Sequence, residues 1–146
     1  MQNTKKILLL SGGADSMYIN QTYNFDLKIF FDYGQKHLEK EYSICAKYID
    51  RVIKIDPFYI KEKEVSNRNL TFISIIVSVF GGSNLDIYLG SNYNDIYKDN
   101  QREYFDIIEK TINTASINKV KIITPLIDIK KKEILKKINL KYYSDL

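Results

Sequence analysis

The sequence predicts an α/β fold, an open, doubly wound, Rossmann-like parallel sheet of about five strands with helices on both faces. Short apolar segments alternate with helical segments along the chain. The apolar segments are continuous rather than alternating in polarity, which is typical of strands that helices cover on both faces. The chain has 146 residues, 45% hydrophobic and 27% charged, so we expect a single globular domain over residues 1–146.

The predicted strands are short, apolar and rich in β-branched or aromatic residues. They are residues 6–11, 27–33, 51–55, 86–90 and 121–124. The predicted helices are residues 15–23, 38–48, 70–80, 101–114 and 128–138. Asp128 is expected to be the N-cap of the last helix. Ligands of such a sheet bind beyond the carboxyl ends of its strands, so the residues that follow each strand are the candidates for a site.

The first predicted strand leads into the sequence SGGADS, which has the chemistry of a phosphate cradle. Gly12 and Gly13 allow a tight turn and a close approach of the backbone to a ligand. The helix that follows directs its N-terminal N–H groups toward the same place, and Ser11 and Ser16 add hydroxyl donors. Asp15 is an acid within this cradle, and it indicates either a bound Mg²⁺ or a helix cap. A glycine turn without a ligand is the plainer interpretation, which the strand–turn–helix context disfavours.

Composition and charge exclude several classes of protein. Cys45 and His37 are the single cysteine and the single histidine, which excludes an internal disulfide and a cysteine or histidine zinc site. The longest apolar run, residues 70–80, is too short to span a membrane, and the N-terminus lacks the apolar region of a signal peptide. We therefore expect a cytoplasmic protein without a membrane partner. The net charge of +4 comes largely from lysines on the last predicted helix, so nucleic acid is not the favoured partner.

The SGGADS segment resembles the SGGxDS motif of the PP-loop ATP pyrophosphatases, and the Walker A and dinucleotide-binding patterns are absent. Within that superfamily, further segments resemble the 7-cyano-7-deazaguanine synthases, the QueC family. They are FDYGQKH at 31–37, RNL at 68–70 with Phe72, GSN at 90–92 with Asp95, Asp99 and Glu103, TPL at 124–126, and KEI at 132–134. Their order and spacing hold over residues 6–138, and the resemblance implies an adenine nucleotide alpha hydrolase-like fold.

This resemblance implies an ATP-dependent carbon–nitrogen ligase. Members of the family convert 7-carboxy-7-deazaguanine and ammonia into 7-cyano-7-deazaguanine, and they release AMP and pyrophosphate. The carboxylate is adenylated, ammonia attacks to give the amide, and the amide is activated again and dehydrated. The implied ligands are therefore ATP, Mg²⁺, the deazaguanine carboxylate and ammonia, and the product is the nitrile or the amide.

The resemblance, together with the placement of residues after strands, suggests three sets of site residues. The expected catalytic residues are Asp15, Ser16, Asp32 and Lys132, with Asp15 also the candidate Mg²⁺ ligand. The expected ATP-binding residues are Ser11, Gly12, Gly13, Ser16, Tyr33, Gly34 and His37. The expected substrate-binding residues are Arg68, Asn69, Asn92, Asp95, Asp99 and Glu103, and the carboxylates among them would face the N–H donors of a guanine-like edge.

Plain structural interpretations remain open for several of these residues. His37 is either a helix cap or a phosphate contact, and Arg68 is either a surface ion pair or an anion ligand. Asn69 is either a helix N-cap or a ligand of the base. Lys132 is also explained as a solvated lysine, and the acidic residues after the fourth strand are also explained as a solvated loop.

The sequence also departs from the family pattern. The four-cysteine zinc segment that the family carries near its C-terminus has no counterpart up to Leu146, so we expect a reduced form without zinc. Such a form should expose apolar surface, which predicts a homo-oligomer. Two alternatives to the ligase remain, another PP-loop activity in nucleobase or tRNA modification, and a non-catalytic paralogue that binds a nucleotide or a deazaguanine.

Overall fold

The five strands in the described part of the chain form one parallel sheet. They are β1 (Thr4–Leu9), β2 (Leu27–Asp32), β3 (Arg51–Lys54), β4 (Asn84–Tyr88) and β5 (Val120–Ile123). The order is β3-β2-β1-β4-β5, and every neighbouring pair runs parallel. The computed structural model describes residues 3–60, 65–94 and 96–138. The predicted open parallel sheet is confirmed, and its strand order reverses between β1 and β4.

The helices follow the strands in alternation, as predicted. They are α1 (Ala14–Thr22), α2 (Leu38–Cys45), α3 (Arg68–Phe80), α4 (Arg102–Ala115) and α5 (Lys131–Lys137). Short 3₁₀ turns at Ala46–Tyr48 and Lys98–Asn100 follow α2 and precede α4. Among the described residues, no helix is both long enough and apolar enough to cross a membrane.

The prediction that Asp128 is an N-cap is wrong. Hydrogen-bonded turns follow Pro125, in which Ile127 N donates to Thr124 O and Ile129 N donates to Leu126 O. These turns delay the start of α5 until Lys131. The Asp128 carboxylate instead pairs with the Arg102 guanidinium, which ties the turn to the first residue of α4.

The remaining shifts in helix bounds are small and have local causes. The predicted helix 38–48 ends at Cys45 and tightens into the 3₁₀ turn. The helix α3 begins earlier than residue 70 because Asn67, in the left-handed conformation at φ 54°, occupies its N-cap position. Asn69 therefore lies within the first turn of α3, and the N-cap interpretation of that residue is excluded.

Two apolar clusters hold the helices on opposite faces of the sheet. On one face, Phe72 and Ile76 of α3 and Phe105 of α4 pack against inward-facing strand residues such as Ile7. On the other face, Met17 of α1, Cys45 of α2 and Ile134 of α5 pack against Leu8 and its neighbours. Because successive residues of β1 point to opposite faces, both faces of the sheet are buried, as the continuous apolar strands predicted.

One close approach fixes the start of α1 against the end of β4. A Cβ atom on Gly90, which follows β4, would lie 2.9 Å from both Asp15 Cβ and Ser16 N. Real Cβ contacts are essentially never that short, so the absence of a side chain at residue 90 lets the two segments touch.

We expect Gly90→Ala to lower the free energy of unfolding by roughly 1–3 kcal/mol, because the added methyl group displaces the first turn of α1. Gly82→Ala is the matched control, since nothing lies within 4 Å of a Cβ atom there. Urea unfolding of both variants tests this expectation. Equal stability of the two variants would contradict the close approach.

Candidate functional site

A cavity of about 310 Å³ opens at the carboxyl ends of the strands, on the line where β1 meets β4. Its walls come from the segments that follow β1, β2 and β4, from Glu41 of α2 and from the first turns of α3. This is the position at which a doubly wound sheet binds ligands. The predicted site residues that line it are Ser11, Gly13, Asp15, Ser16, Tyr33, Arg68 and Asn69.

The loop between β1 and α1 forms the floor of the cavity. The Ser11 and Ser16 hydroxyls lie 3.1 Å apart, and Ser16 Oγ also accepts a hydrogen bond from Ser11 N at 3.1 Å. Gly12 has φ +77° and packs its Cα so tightly that an added Cβ would lie 2.4 Å from Glu41 O. The loop therefore holds its hydroxyls and the N-terminal turn of α1 toward one point, which is the geometry of an oxyanion cradle.

The Asp15 carboxylate is held from both sides. Asn92 Nδ2 donates to Asp15 Oδ2 at 2.8 Å, and Lys131 Nζ donates to Asp15 Oδ1 at 3.0 Å. The Asp15 side chain is only 16% exposed, so this pair is partly shielded from water. Lys132, the lysine that the sequence suggested, is exposed and is absent from the cavity lining.

The surroundings of Asp15 do not fit a magnesium ligand. Both carboxylate oxygens already accept hydrogen bonds, one of them from an ammonium group whose positive charge opposes a bound cation. Within the described parts of the chain, no group of three or more histidine, cysteine or acidic residues is placed to hold a metal ion.

One wall of the cavity is aromatic. Phe31 and Phe72 stack with ring centroids 4.2 Å apart, and Tyr33 stacks on Phe58 at 5.1 Å. Arg68 lies over the Tyr33 ring, and its Nη1 donates to the Tyr33 hydroxyl at 3.2 Å. A flat apolar wall with a planar cation at its rim suits a flat heterocycle that carries a carboxylate or a phosphate.

A buried polar network forms another part of the cavity lining. Asn69 Nδ2 donates to Asn100 Oδ1 and to Asp99 O, both at 2.8 Å, and Ser91 Oγ donates to Asn100 Oδ1 at 2.8 Å. The Asp99 carboxylate accepts from Asn69 N at 3.2 Å, near the N-terminus of α3. Asp99 thus satisfies a backbone donor in the first turn of α3 and joins the loop after β4 to that helix.

Glu41 is a cavity residue that the sequence did not indicate. It lies on α2, and burial raises the pKa of its carboxyl above the ordinary value. A hydrogen bond with the Gln35 side chain and the positive charges of Arg68 and His37 lower that pKa by smaller amounts. The net result is a carboxylate in the cavity that holds a proton more readily than an exposed one.

Several other predicted residues lie beside the cavity rather than in it. Asp32 Oδ1 accepts from Gly34 N at 3.2 Å and closes the turn after β2, where Gly34 has φ +76°. His37 occupies the N-cap position of α2 and is exposed, without a side-chain capping bond. Glu103 is exposed on α4, and Asp95 lies outside the described residues.

Sequence reasoning missed Gln35, Glu41, Tyr97 and Lys131, of which all but Lys131 line the cavity. The family segment that KEI at 132–134 resembles has the pattern K-x-E-I. Three successive lysines precede Glu133, and the one that stands two residues before it is Lys131. That spacing is the signal that would have found it. Glu41 and Tyr97 carry no such signal, because only the tertiary fold brings them to the cavity.

The fold and the cradle together define an α/β protein with an oxyanion loop at the switch point of its sheet. Comparison with known proteins gives the family. The family model described as queuosine biosynthesis protein QueC matches residues 54–142. The chain belongs to this family.

Relatives named 7-cyano-7-deazaguanine synthase match most of the chain. One from Prochlorococcus marinus (strain MIT 9215) is 31% identical, over 93% of this chain and 79% of the relative. One from Methanosphaera stadtmanae is 29% identical, over 91% and 77%. A solved structure described as a predicted subunit of tRNA methyltransferase from Methanocaldococcus jannaschii superimposes with a TM-score of 0.50 at 16% identity, covering 92% of this chain and 74% of that one. That likeness concerns the fold alone.

The raised pKa of Glu41 predicts a pH-dependent stability. The folded chain holds this proton more tightly than the unfolded chain does. The stabilisation that the proton gives to the folded state is therefore fully present when the pH is below the unfolded-state pKa of Glu41. It is lost as the pH rises through the folded-state pKa, above which the protein buries a charge. We therefore expect Glu41→Gln to raise the Tm at neutral pH and to lose that advantage in acid.

Thermal melts of the wild type and of Glu41→Gln, measured from acid to neutral pH, check this expectation. Glu39→Gln, which changes an exposed residue of the same helix, is the control and should leave the pH dependence of the Tm unchanged. A Glu41→Gln variant that melts below the wild type at neutral pH would refute it.

Proposed function

We propose that the protein is an ATP-dependent carbon–nitrogen ligase that converts a 7-deazaguanine carboxylate and ammonia into 7-cyano-7-deazaguanine, or into the amide. The observation that carries this proposal is that an oxyanion loop and an aromatic wall open onto the same cavity. A phosphate group and a flat heterocycle can therefore be held next to each other. The names of the relatives, and membership of the queuosine biosynthesis family, support the choice of substrate.

The loop side of the cavity is suited to ATP phosphates. The hydroxyls of Ser11 and Ser16 bond to each other, and each can turn to donate to a phosphate oxygen instead. The first N–H groups of α1 are directed at the same point and stabilise negative charge there. Lys131 Nζ, held 3.0 Å from Asp15 Oδ1, supplies a positive charge beside this loop.

The aromatic side is suited to a purine-like ring. Tyr33 and Phe72 line this side of the cavity with aromatic surface, and the guanidinium of Arg68 at the rim can bind a carboxylate through two N–H groups. Asn69 lines the same cavity, with its amide already fixed by Asn100. These contacts would hold the reacting carboxylate near the phosphate loop, which is the main requirement of an adenylation.

ATP, when bound, supplies the α-phosphoryl group that activates the substrate carboxylate. The protein's part is to bind and to orient. Ser11, Ser16 and the N-terminus of α1 would hold the charge that builds up on the departing pyrophosphate. Asp15 and Asn92 would keep the ammonium group of Lys131 in place, so that no reorganisation is needed when that charge appears. The apolar side chains of Leu9, Phe30 and Phe72 would limit the access of water to the acyl adenylate.

The first test is a single-turnover reaction with α-labelled ATP and magnesium that resolves AMP from ADP. We expect AMP only when 7-carboxy-7-deazaguanine is present, with mass spectrometry of the product separating nitrile from amide. Omission of the deazaguanine is the control. A folded protein that forms no AMP under any of these conditions would exclude the ligase and would favour a non-catalytic binding role.

A second test concerns the lysine beside Asp15. We expect Lys131→Met to lower kcat for AMP formation by roughly 100-fold, because a fixed positive charge at the phosphate loop is lost. Lys136→Met, on the exposed side of α5, is the control for net charge and should keep its kcat. Lys132→Met compares the two candidate lysines, and a larger loss there than at Lys131 would contradict the assignment.

A further inference from the structure

The cavity contains a carboxylate that the proposed chemistry has not yet used. Among the residues that line it, the acidic ones are Asp15 and Glu41. Asp15 is already engaged by Lys131 and Asn92. Glu41 lies on α2, which packs against the loop between β1 and α1, where a Cβ on Gly12 would lie 2.4 Å from Glu41 O. The Glu41 side chain hydrogen-bonds that of Gln35, and both residues line the cavity in which the acyl adenylate would form.

The groups that face Glu41 leave its carboxylate available for a proton. Gln35 binds it with a side-chain amide, which in turn donates to Phe31 O at 3.0 Å and is fixed by that bond. The charged groups that act on Glu41 are Arg68 at the start of α3 and His37 before α2. Arg68 is turned toward the Tyr33 hydroxyl, 3.2 Å from its Nη1, and His37 is exposed.

We propose that Glu41 is the general base that prepares the nitrogen nucleophile, an inference that rests on the proposed ligase activity. Ammonium is the abundant form of ammonia at neutral pH, and it has no lone pair with which to attack. The Glu41 carboxylate attracts the ammonium ion into the cavity and takes one of its protons, which leaves neutral ammonia next to the acyl carbon. A half-buried carboxylate that binds protons more readily than usual is suited to this transfer.

The atoms and electrons of the step balance. The lone pair of ammonia forms the new C–N bond, and the C–O bond to the phosphate breaks with its electron pair leaving on AMP. The nitrogen then loses one further proton, which the released phosphate of AMP can take because its second pKa lies near neutrality. Glu41 returns its own proton to water when the product leaves.

The test separates adenylation from amide formation. Exchange of labelled pyrophosphate into ATP, measured with the deazaguanine carboxylate and without ammonium, reports adenylation alone. Amide formation from ammonium at neutral pH reports both steps. We expect Glu41→Gln to keep the exchange rate of the wild type and to lower the rate of amide formation by roughly 100-fold or more.

Two further measurements identify a base rather than a binding residue. Raising the pH increases the fraction of free ammonia, so the deficit of Glu41→Gln should shrink as the pH rises. Hydroxylamine is largely unprotonated at neutral pH and needs no base, so the variant should form the hydroxamate as fast as the wild type does. Glu39→Gln, an exposed carboxylate on the same helix, is the matched control and should behave as wild type throughout.

Each other outcome overturns the inference. Loss of exchange, or a raised KM for ATP or for the deazaguanine, would mean that Glu41 binds one of those ligands. An unchanged rate of amide formation would mean that it takes no part, and a deficit that persists with hydroxylamine would exclude a proton-transfer role. A wild-type protein without any exchange activity is a different result, since it refutes the proposed ligase itself.

Discussion

The contact between the end of β4 and the first turn of α1 is the constraint on which the rest of the site depends. Gly90 allows this contact, because any side chain there would meet Asp15 and Ser16 at 2.9 Å. The contact sets the position of the loop between β1 and α1 relative to the loop after β4. It also brings Asn92, which follows that strand, within 2.8 Å of the Asp15 carboxylate. The binding loop and the residues that orient it are therefore positioned by one packing contact across the switch point of the sheet.

The two carboxylates that line the cavity, Asp15 and Glu41, have different surroundings. Asp15 is partly buried, and each of its carboxylate oxygens accepts a hydrogen bond, one from the Asn92 amide and one from the Lys131 ammonium group. Glu41 is half-buried, and burial is the largest influence on its pKa. The ionised Glu41 carboxylate is expected to lower the free energy of unfolding at neutral pH, although it lines the cavity. This fits the general pattern that residues of functional sites reduce stability. This contrast underlies the proposal that Asp15 positions Lys131 and that Glu41 transfers a proton.

The acidic segment after β4 shows how a pattern suited to ligand binding can serve the fold. Asp99 lies near the N-terminus of α3, where it accepts the backbone N–H of Asn69, and Asn69 in turn fixes Asn100. A buried carboxylate needs donors, and the first turn of a helix offers donors that the helix itself does not use. The network therefore fixes the start of α3, including Arg68 at the rim of the cavity.

The sequence by itself determined the parallel sheet, the alternation of helices and the glycine–serine loop after β1, because apolar periodicity and a glycine–serine turn are local properties. It also indicated Tyr33, Arg68 and Asn69, which line the cavity. The tertiary structure decided which lysine approaches Asp15. Three successive lysines at the start of α5 point in different directions around the helix axis, and the turns after Pro125 set which of them faces Asp15. It alone brought Glu41 into the cavity, because the packing of α2 against Gly12 is a long-range contact that no local pattern records.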